Sequence, residues 1–204
     1  MATALVNLTQ TVAPTTEPVS VDEVKDHLRV RFDTDDTLLG LYIGAARQWA
    51  EAYTQRQLIT ATWRLELESF PSEILVPHPP LASVTSITYT DAAGASQTLG
   101  ASIYQTDIVS TPGRIKPSYG NSWPATRSGV YGAVKLTYVA GYGAASSVPD
   151  DIKLALKQLV GHWYALREPV VIGTISTDIP FMFESALTRH RTFANEWACV
   201  GNAA

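Results

Sequence analysis

Apolar residues recur along this chain with two different periods, and the switch between them outlines the fold. Val21, Val24 and Leu28 fall at i, i+3 and i+7, which puts them on one face of a helix. Ser20 and Glu23 form a capping-box pair in front of them, so a helix is expected over 20–31. Leu38, Tyr42, Ala45, Ala46, Trp49 and Tyr53 repeat the helical spacing and predict a second helix over 35–56. Asp33, Asp35 and Asp36 sit at its start, where the helix dipole favours negative charge. A third helix is expected over 149–168. Pro149 takes its first position, Asp150 and Asp151 its first turn, and Ile152, Ala155, Leu156, Leu159, Val160 and Trp163 form a broad apolar stripe ended by Glu168-Pro169.

Between the second and third helices the period drops to two. Trp63, Leu65 and Leu67 alternate with Arg64, Glu66 and Glu68, the pattern of a half-buried strand. Ile74-Leu75-Val76 is a short strand closed by Pro77. Ser83–Thr90 is β-branched and alternating, and Asp91-Ala92-Ala93-Gly94 reads as a hairpin turn into a return strand from Ser96 to Leu99. Tyr104–Val109 is a further candidate strand. Residues 110–128, punctuated by Pro112-Gly113 and Tyr119-Gly120, read as an ordered loop. Val134, Leu136 and Tyr138 mark the last strand, stopped at Gly141-Tyr142-Gly143.

The class that follows is α+β: a small helical bundle with a large inserted antiparallel β block and an extended C-terminal tail. Helices far apart in the chain must meet to bury their stripes, so the β block interrupts a helical unit. The expected organisation is an arm over 1–18, rich in Thr, Ala and Pro and ordered by a partner. A helical unit follows over 19–58 plus 147–191, with the β-rich subdomain over 59–146 and a tail over 192–204. Residues 170–179 look extended, and Pro180 opens a short helix reaching about Arg191.

The balance of 15 Lys and Arg against 19 Asp and Glu gives a net charge of −4. That is not the basic footprint of a protein that grips nucleic acid. The single cysteine, Cys199, cannot build a disulfide framework and points to a reducing compartment. The start MATALVNLTQ lacks the features of a signal peptide, and no apolar run reaches the ~20 residues of a membrane span.

No constellation carries chemistry. A calcium loop beginning at Asp33 would need Gly at Leu38 and Glu at Gly44. Gly141-Tyr142-Gly143 lacks the third glycine of a dinucleotide fingerprint and leads into an acidic helix start. His27, His78, His162 and His190 have no zinc-ligand spacing. Neither a nucleophile elbow nor a base near Cys199 is evident. Glu66 and Glu68 share the polar face of one strand. No cofactor, metal or catalytic residue is therefore expected.

Two aromatic groups remain open. Phe181, Phe183, Phe193 and Trp197 are interleaved with Arg189 and Arg191, the residue types enriched at interface anchors; they either dock a partner or fold back on the core. Trp63, Tyr89, Trp123 and Tyr138 would line a ligand or glycan cleft in the β block, or fill its core.

In order along the chain, the sequence resembles the head–tail connector (adaptor, head-completion) proteins of long-tailed phages and gene transfer particles. The likeness rests on Val19-Ser20-Val21-Asp22-Glu23-Val24-Lys25, His27-Leu28-Arg29-Val30 and the run Ala45 to Thr54. It continues through Thr62-Trp63, Pro79-Pro80-Leu81, Ser83 to Ile87, Trp123-Pro124-Ala125, Ala140 to Gly143, Val148-Pro149, Gly161 to Tyr164 and Arg167-Glu168. These are packing and turn motifs, and they span about 19–168. The resemblance implies a ring, typically of twelve copies, stacked beneath the portal of a DNA-filled head. DNA would pass through its channel without specific binding, and the next head- or tail-completion protein would sit below. Assembly in the bacterial cytoplasm, no membrane partner and a place at the head–tail junction of a virion or phage-like particle are further expectations. The tail residues Phe181, Phe183, Arg189, Arg191, Phe193 and Trp197 would then face the portal. Asp33, Asp35, Asp36, Arg47, Trp49, Arg167 and Glu168 would lie between ring neighbours.

Overall fold

The computed structural model describes residues 7–166 and 181–192. They fall into two compact units, one of residues 7–14, 55–142 and 192, the other of 15–54, 143–166 and 181–191.

The first unit is antiparallel β. Its larger sheet holds β1 (Asn7–Val12), β2 (Ala61–Leu67), β8 (Val134–Ala140), β4 (Leu81–Thr90) and β5 (Ser96–Thr98), hydrogen-bonded in that order. The smaller sheet runs β3 (Ile74–Val76), β7 (Gly113–Pro117), β6 (Tyr104–Asp107). The period-2 strands do what their pattern dictates: Leu65 pairs with Leu136 across β2 and β8, Ile87 with Leu136 across β4 and β8, and all three are buried. Ile74, Val76 and Ile115 of the smaller sheet join the same apolar core as Leu65, Leu67, Ile87, Leu136 and Tyr138. The Asp91–Gly94 turn closes the β4–β5 hairpin, with Asp91 Oδ1 accepting from the Ala95 N–H at 2.9 Å.

Three expectations for this unit are corrected. Residues 7–12, read as part of an arm ordered only by a partner, form β1 against β2 of the same chain, with Leu8 opposite Leu65. Most of β1 is exposed and only Leu8 is half-buried, so this edge strand left no alternation to read. Residues 113–117, read as loop, form β7: Gly113 and Ile115 are buried while Arg114 and Lys116 are exposed. A side chain at 113 would meet Leu81 at 2.6 Å, so the glycine that resembled a breaker is a packing requirement. The strand from Tyr104 stops at Asp107, because that carboxylate accepts the N–H groups of Val109 and Ser110, both at 3.0 Å, and turns the chain.

The second unit is helical: α1 (Val21–Leu28), α2 (Asp36–Thr54), α3 (Asp150–Ala165) and α4 (Phe181–Thr188), with a 3-10 turn at Ala145–Ser147 before α3. The capping box is present in both halves: the Glu23 N–H donates to Ser20 Oγ at 3.1 Å and the Ser20 N–H to Glu23 Oε2 at 2.8 Å. α1 ends three residues earlier than expected, because Arg29 adopts left-handed φ 58° and the Val30 N–H turns back to the Lys25 carbonyl. Similarly, Gln55 at φ 57° stops α2 short of 56. Pro149 is the N-cap of α3 and not its first helical residue, and Leu166 at ψ 68° ends the helix before 168. Leu39, Ile43, Ala46 and Ala50 of α2 and Ile152, Ala155, Leu156, Leu159 and Val160 of α3 are buried, giving each helix one apolar face. α3 packs on α2, α1 and α4. Gly161 permits the close α1 contact: a Cβ there would come within 3.0 Å of Leu28 Cδ2.

Candidate docking surfaces

Within the helical unit, the residues expected at outer contacts are largely engaged by the protomer itself. Lys25, 9% exposed, donates through Nζ to Asp33 Oδ1 and to Asp36 Oδ1 at 2.9 Å. The two carboxylates raise the Lys25 ammonium above its ordinary pKa, and Lys25 in turn holds Asp33 below the usual carboxylate range. Asp35 accepts from the Tyr164 hydroxyl at 2.6 Å, which ties the turn before α2 to the last turn of α3.

Arg47 is buried to 9% exposure. It donates from Nε to Glu17 Oε2 at 2.7 Å, from Nη2 to Glu17 Oε1 at 3.3 Å and from Nη1 to Glu51 Oε2 at 2.9 Å. Burial disfavours its charge, and the two carboxylates more than compensate, so its pKa is raised. Trp49 stacks on Tyr53 at 5.1 Å and meets the edge of Phe183 at 5.2 Å. Phe183 is 2% exposed; it is a core residue of the unit and not a projecting anchor. Arg191 lies over the Tyr53 ring at 5.3 Å. Arg189 and His190 reach Asp151 at 3.7 and 2.8 Å. The side chain of Phe181, and Arg167, Glu168, Phe193, Trp197 and Cys199, lie outside the described residues, as do 170–179.

Of the aromatic candidates of the β unit, Tyr138 lies in the core, and Trp63, Tyr89 and Trp123 are partly buried against it. Tyr138 is fully buried and donates to the Pro77 carbonyl at 3.0 Å, and burial pushes its hydroxyl pKa up. Phe70 stacks on Trp123 at 4.7 Å and meets Tyr89 at 5.8 Å. Trp63 lies against His78 at 4.4 Å and donates from Nε1 to Gln57 at 3.0 Å; burial lowers the His78 pKa. A shallow depression of about 240 Å³ on the smaller sheet is lined by Glu73, Gln105, Thr106, Asp107, Arg114 and Lys116. It is smaller than the roughly 300–1,000 Å³ of ligand sites and has no apolar wall. Asp107 there is held well below the usual carboxylate range by the Ser110 hydroxyl and N–H and by Arg114.

Among the described residues no group of three or more His, Cys, Asp or Glu could hold a metal ion, and no helix is long and apolar enough to cross a membrane. Sequence reasoning missed the internal pairing of the acids. Arg47–Glu51 was readable as an i, i+4 pair, whereas Lys25–Asp36 and His190–Asp151 become neighbours only in the fold.

Residues 18–108 match the family described as phage gp6-like head-tail connector protein. Three solved assemblies contain chains of the same fold. The chain from the neck of an empty GTA particle computed with C6 symmetry is 27% identical, with a TM-score of 0.74 over 92% of this chain and 96% of that one. The chain from the virion of a native gene transfer agent (GTA) particle is 26% identical, with a TM-score of 0.74 over 91% and 95%. The chain from the neck of a native GTA particle computed with C12 symmetry is 28% identical, with a TM-score of 0.70 over 93% and 96%. No curated protein sequence matches the chain.

Proposed function

We propose, from the match of residues 18–108 to the phage gp6-like head-tail connector family, that this chain is a structural adaptor. It forms an oligomeric ring beneath the portal, joins a DNA-filled head to its tail and leaves a channel for DNA. The observation that carries the reading is the likeness, over nearly the full length of both chains, to subunits from the necks of gene transfer agent particles. Neck structures computed with C6 and C12 symmetry support a closed ring, with twelve copies as the expected number. A ring needs two unlike, complementary faces on each copy. Net charge −4 suits a conduit, because phosphate contacts would retard DNA.

Toward the portal we assign Phe181, Arg189, Arg191, Phe193 and Trp197. Phe183 serves this surface only indirectly, by anchoring α4 on Trp49. Asp33, whose side chain is 87% exposed, Arg167 and Glu168 are assigned to neighbouring copies. Asp35, Asp36, Arg47 and Trp49 contribute by holding the helical unit in shape. The partners are further copies, the portal and the next completion protein, in a virion or phage-like particle assembled in the bacterial cytoplasm. The reading as a ligand- or glycan-binding module is not favoured, since Tyr138 is buried in the β core and Trp63, Tyr89 and Trp123 pack against that core.

The test is electron microscopy of lysates from a host whose particle genes lack only this one. Filled or emptied heads beside finished, unattached tails are expected; normally joined particles would overturn the adaptor role.

A further inference from the structure

α4 sits on the helical unit in a seat built by α2 and α3. Phe183, near its start, meets the edge of Trp49 at 5.2 Å and is 2% exposed, and Leu187 is 1% exposed. The Thr188 hydroxyl donates to the Glu184 carbonyl at 2.7 Å, so it accepts from the Tyr53 O–H at 2.9 Å. Just past the helix, His190 lies 2.8 Å from Asp151 Oδ2. A helix of eight residues does not persist alone in water, so α4 forms only where such a seat is available.

The direction of α4 follows from these contacts. Trp49 meets Phe183 and Tyr53 meets Thr188, so α4 runs alongside α2 in the same sense. Asp35 before α2 is tied to Tyr164 near the end of α3, so α2 and α3 are antiparallel. α4 therefore runs back along α3 and finishes at Asp151, in the first turn of that helix. The return from Leu166 to Phe181 covers less than the length of α3, whose 16 residues make about 24 Å. Residues 167–180 supply fourteen residues for it, with a reach of about 46 Å. Antiparallel helices are ordinarily joined by about 2–8 residues. The connection is long enough to reach the seat of a second copy.

We propose that in the assembled ring α4 is exchanged: each copy's α4 fills the α2–α3 seat of the next copy, through the contacts that the single chain makes with itself. This rests on the ring reading above and names the contact that closes the ring. The occupant is a second copy because the matching chains come from necks computed with cyclic C6 and C12 symmetry. Helix and seat are unlike surfaces of one chain, which is the head-to-tail relation a cyclic ring requires, and exchange of an identical element replaces each internal contact by its equal. The seat residues Trp49, Tyr53 and Asp151 then serve the protomer before assembly and its neighbour afterwards.

The experiment uses intact particles purified from a host carrying this chain with its own particle genes. A photo-reactive phenylalanine analogue replaces Tyr53 and, in a separate preparation, Thr188, an exposed position that keeps the test open if the first variant fails to fold. Irradiation should give species of twice the chain mass or a higher multiple, in which peptide mapping joins the end of α2 to α4. The same two peptides joined at the mass of one chain, in particles whose ring is visible by electron microscopy, would overturn the exchange and leave the ring standing. So would rings in which neither analogue links α2 to α4. Particles containing this chain in no ring at all would overturn the ring reading itself.

Discussion

Arg47 Nε lies 2.7 Å from Oε2 of Glu17, thirty residues upstream, and this contact fastens the chain leading into α1 onto the middle of α2. The same guanidinium reaches Glu51 at 2.9 Å. Removing it would leave two carboxylates facing one another with a partly buried site between them. Arg47→Met is therefore expected to cost about 2–4 kcal/mol, toward the lower end of buried-pair losses because Glu17 is partly solvated. Glu51→Gln, which keeps the Glu17 fork, should cost about 1 kcal/mol. Urea unfolding followed by hydrogen exchange within α2 measures both; a Met variant as stable as the wild type would show that Glu17 is held by other means.

Phe183 decides between two uses of the C-terminal aromatics. Its ring is 2% exposed and meets Trp49 edge-on, so Phe183→Ala should destabilise the helical unit by about 3–5 kcal/mol, the range for emptying a buried aromatic site. A residue whose job was docking alone would instead lose portal binding at unchanged stability. Calorimetry of the variant separates the two.

What could be read from the sequence divides along the range of the interactions. The capping box, the α3 stripe, the Asp91–Gly94 turn and the alternation of β2, β4 and β8 are all local signals, and each became the element it predicts; the spacing in α2 gave the helix but not its buried face, which is Leu39, Ile43, Ala46 and Ala50, whereas Leu38, Tyr42, Trp49 and Tyr53 are half-buried and Ala45 is exposed. β1 escaped because a mostly exposed edge strand has no alternation to display. β7 escaped because Gly113 and Pro112 outweighed the Arg114-Ile115-Lys116 alternation, and the need for glycine beside Leu81 exists only once β4 and β7 are assembled. The candidate contact residues were the hardest. Asp33 and Asp36 looked like a charged surface, yet Lys25, eight and eleven residues away, had already claimed them.

Gly141 marks where the β block leaves its last strand. Its φ is 123°, and a Cβ there would fall 2.7 Å from the Ile59 carbonyl carbon and 2.8 Å from Thr60 N. Those are backbone atoms, and they cannot swing aside as a side chain would. Gly141→Ala combines left-handed strain with a main-chain clash and should cost about 3 kcal/mol or more. Gly120→Ala, with positive φ but open space around it, should cost only about 1 kcal/mol. Comparing their melting temperatures isolates the clash from the strain.

The Lys25 cluster should give the helical unit a defined dependence on pH. Its hydrogen bonds to Asp33 and Asp36 raise the lysine pKa above 10.5, and the Lys25 bond lowers Asp33 below 3.8. A raised lysine contributes stability below its unfolded pKa and loses it as pH rises through the folded value. A depressed carboxylate contributes stability above its unfolded pKa and loses it as pH falls through the folded value. Both contributions are complete between about pH 5 and 9. Lys25→Met removes the two together, so the stability gap between variant and wild type should be flat across that range, narrow below about pH 4 and narrow again above about pH 10.5. Because Asp33 is largely solvated, the acid limb should also shrink in 1 M salt, where screening acts over about 3 Å. Chemical unfolding of both proteins across pH, at low and high salt, measures this; a gap that stayed constant into acid would show that Lys25 stabilises α1 through packing of its stem and not through its charge.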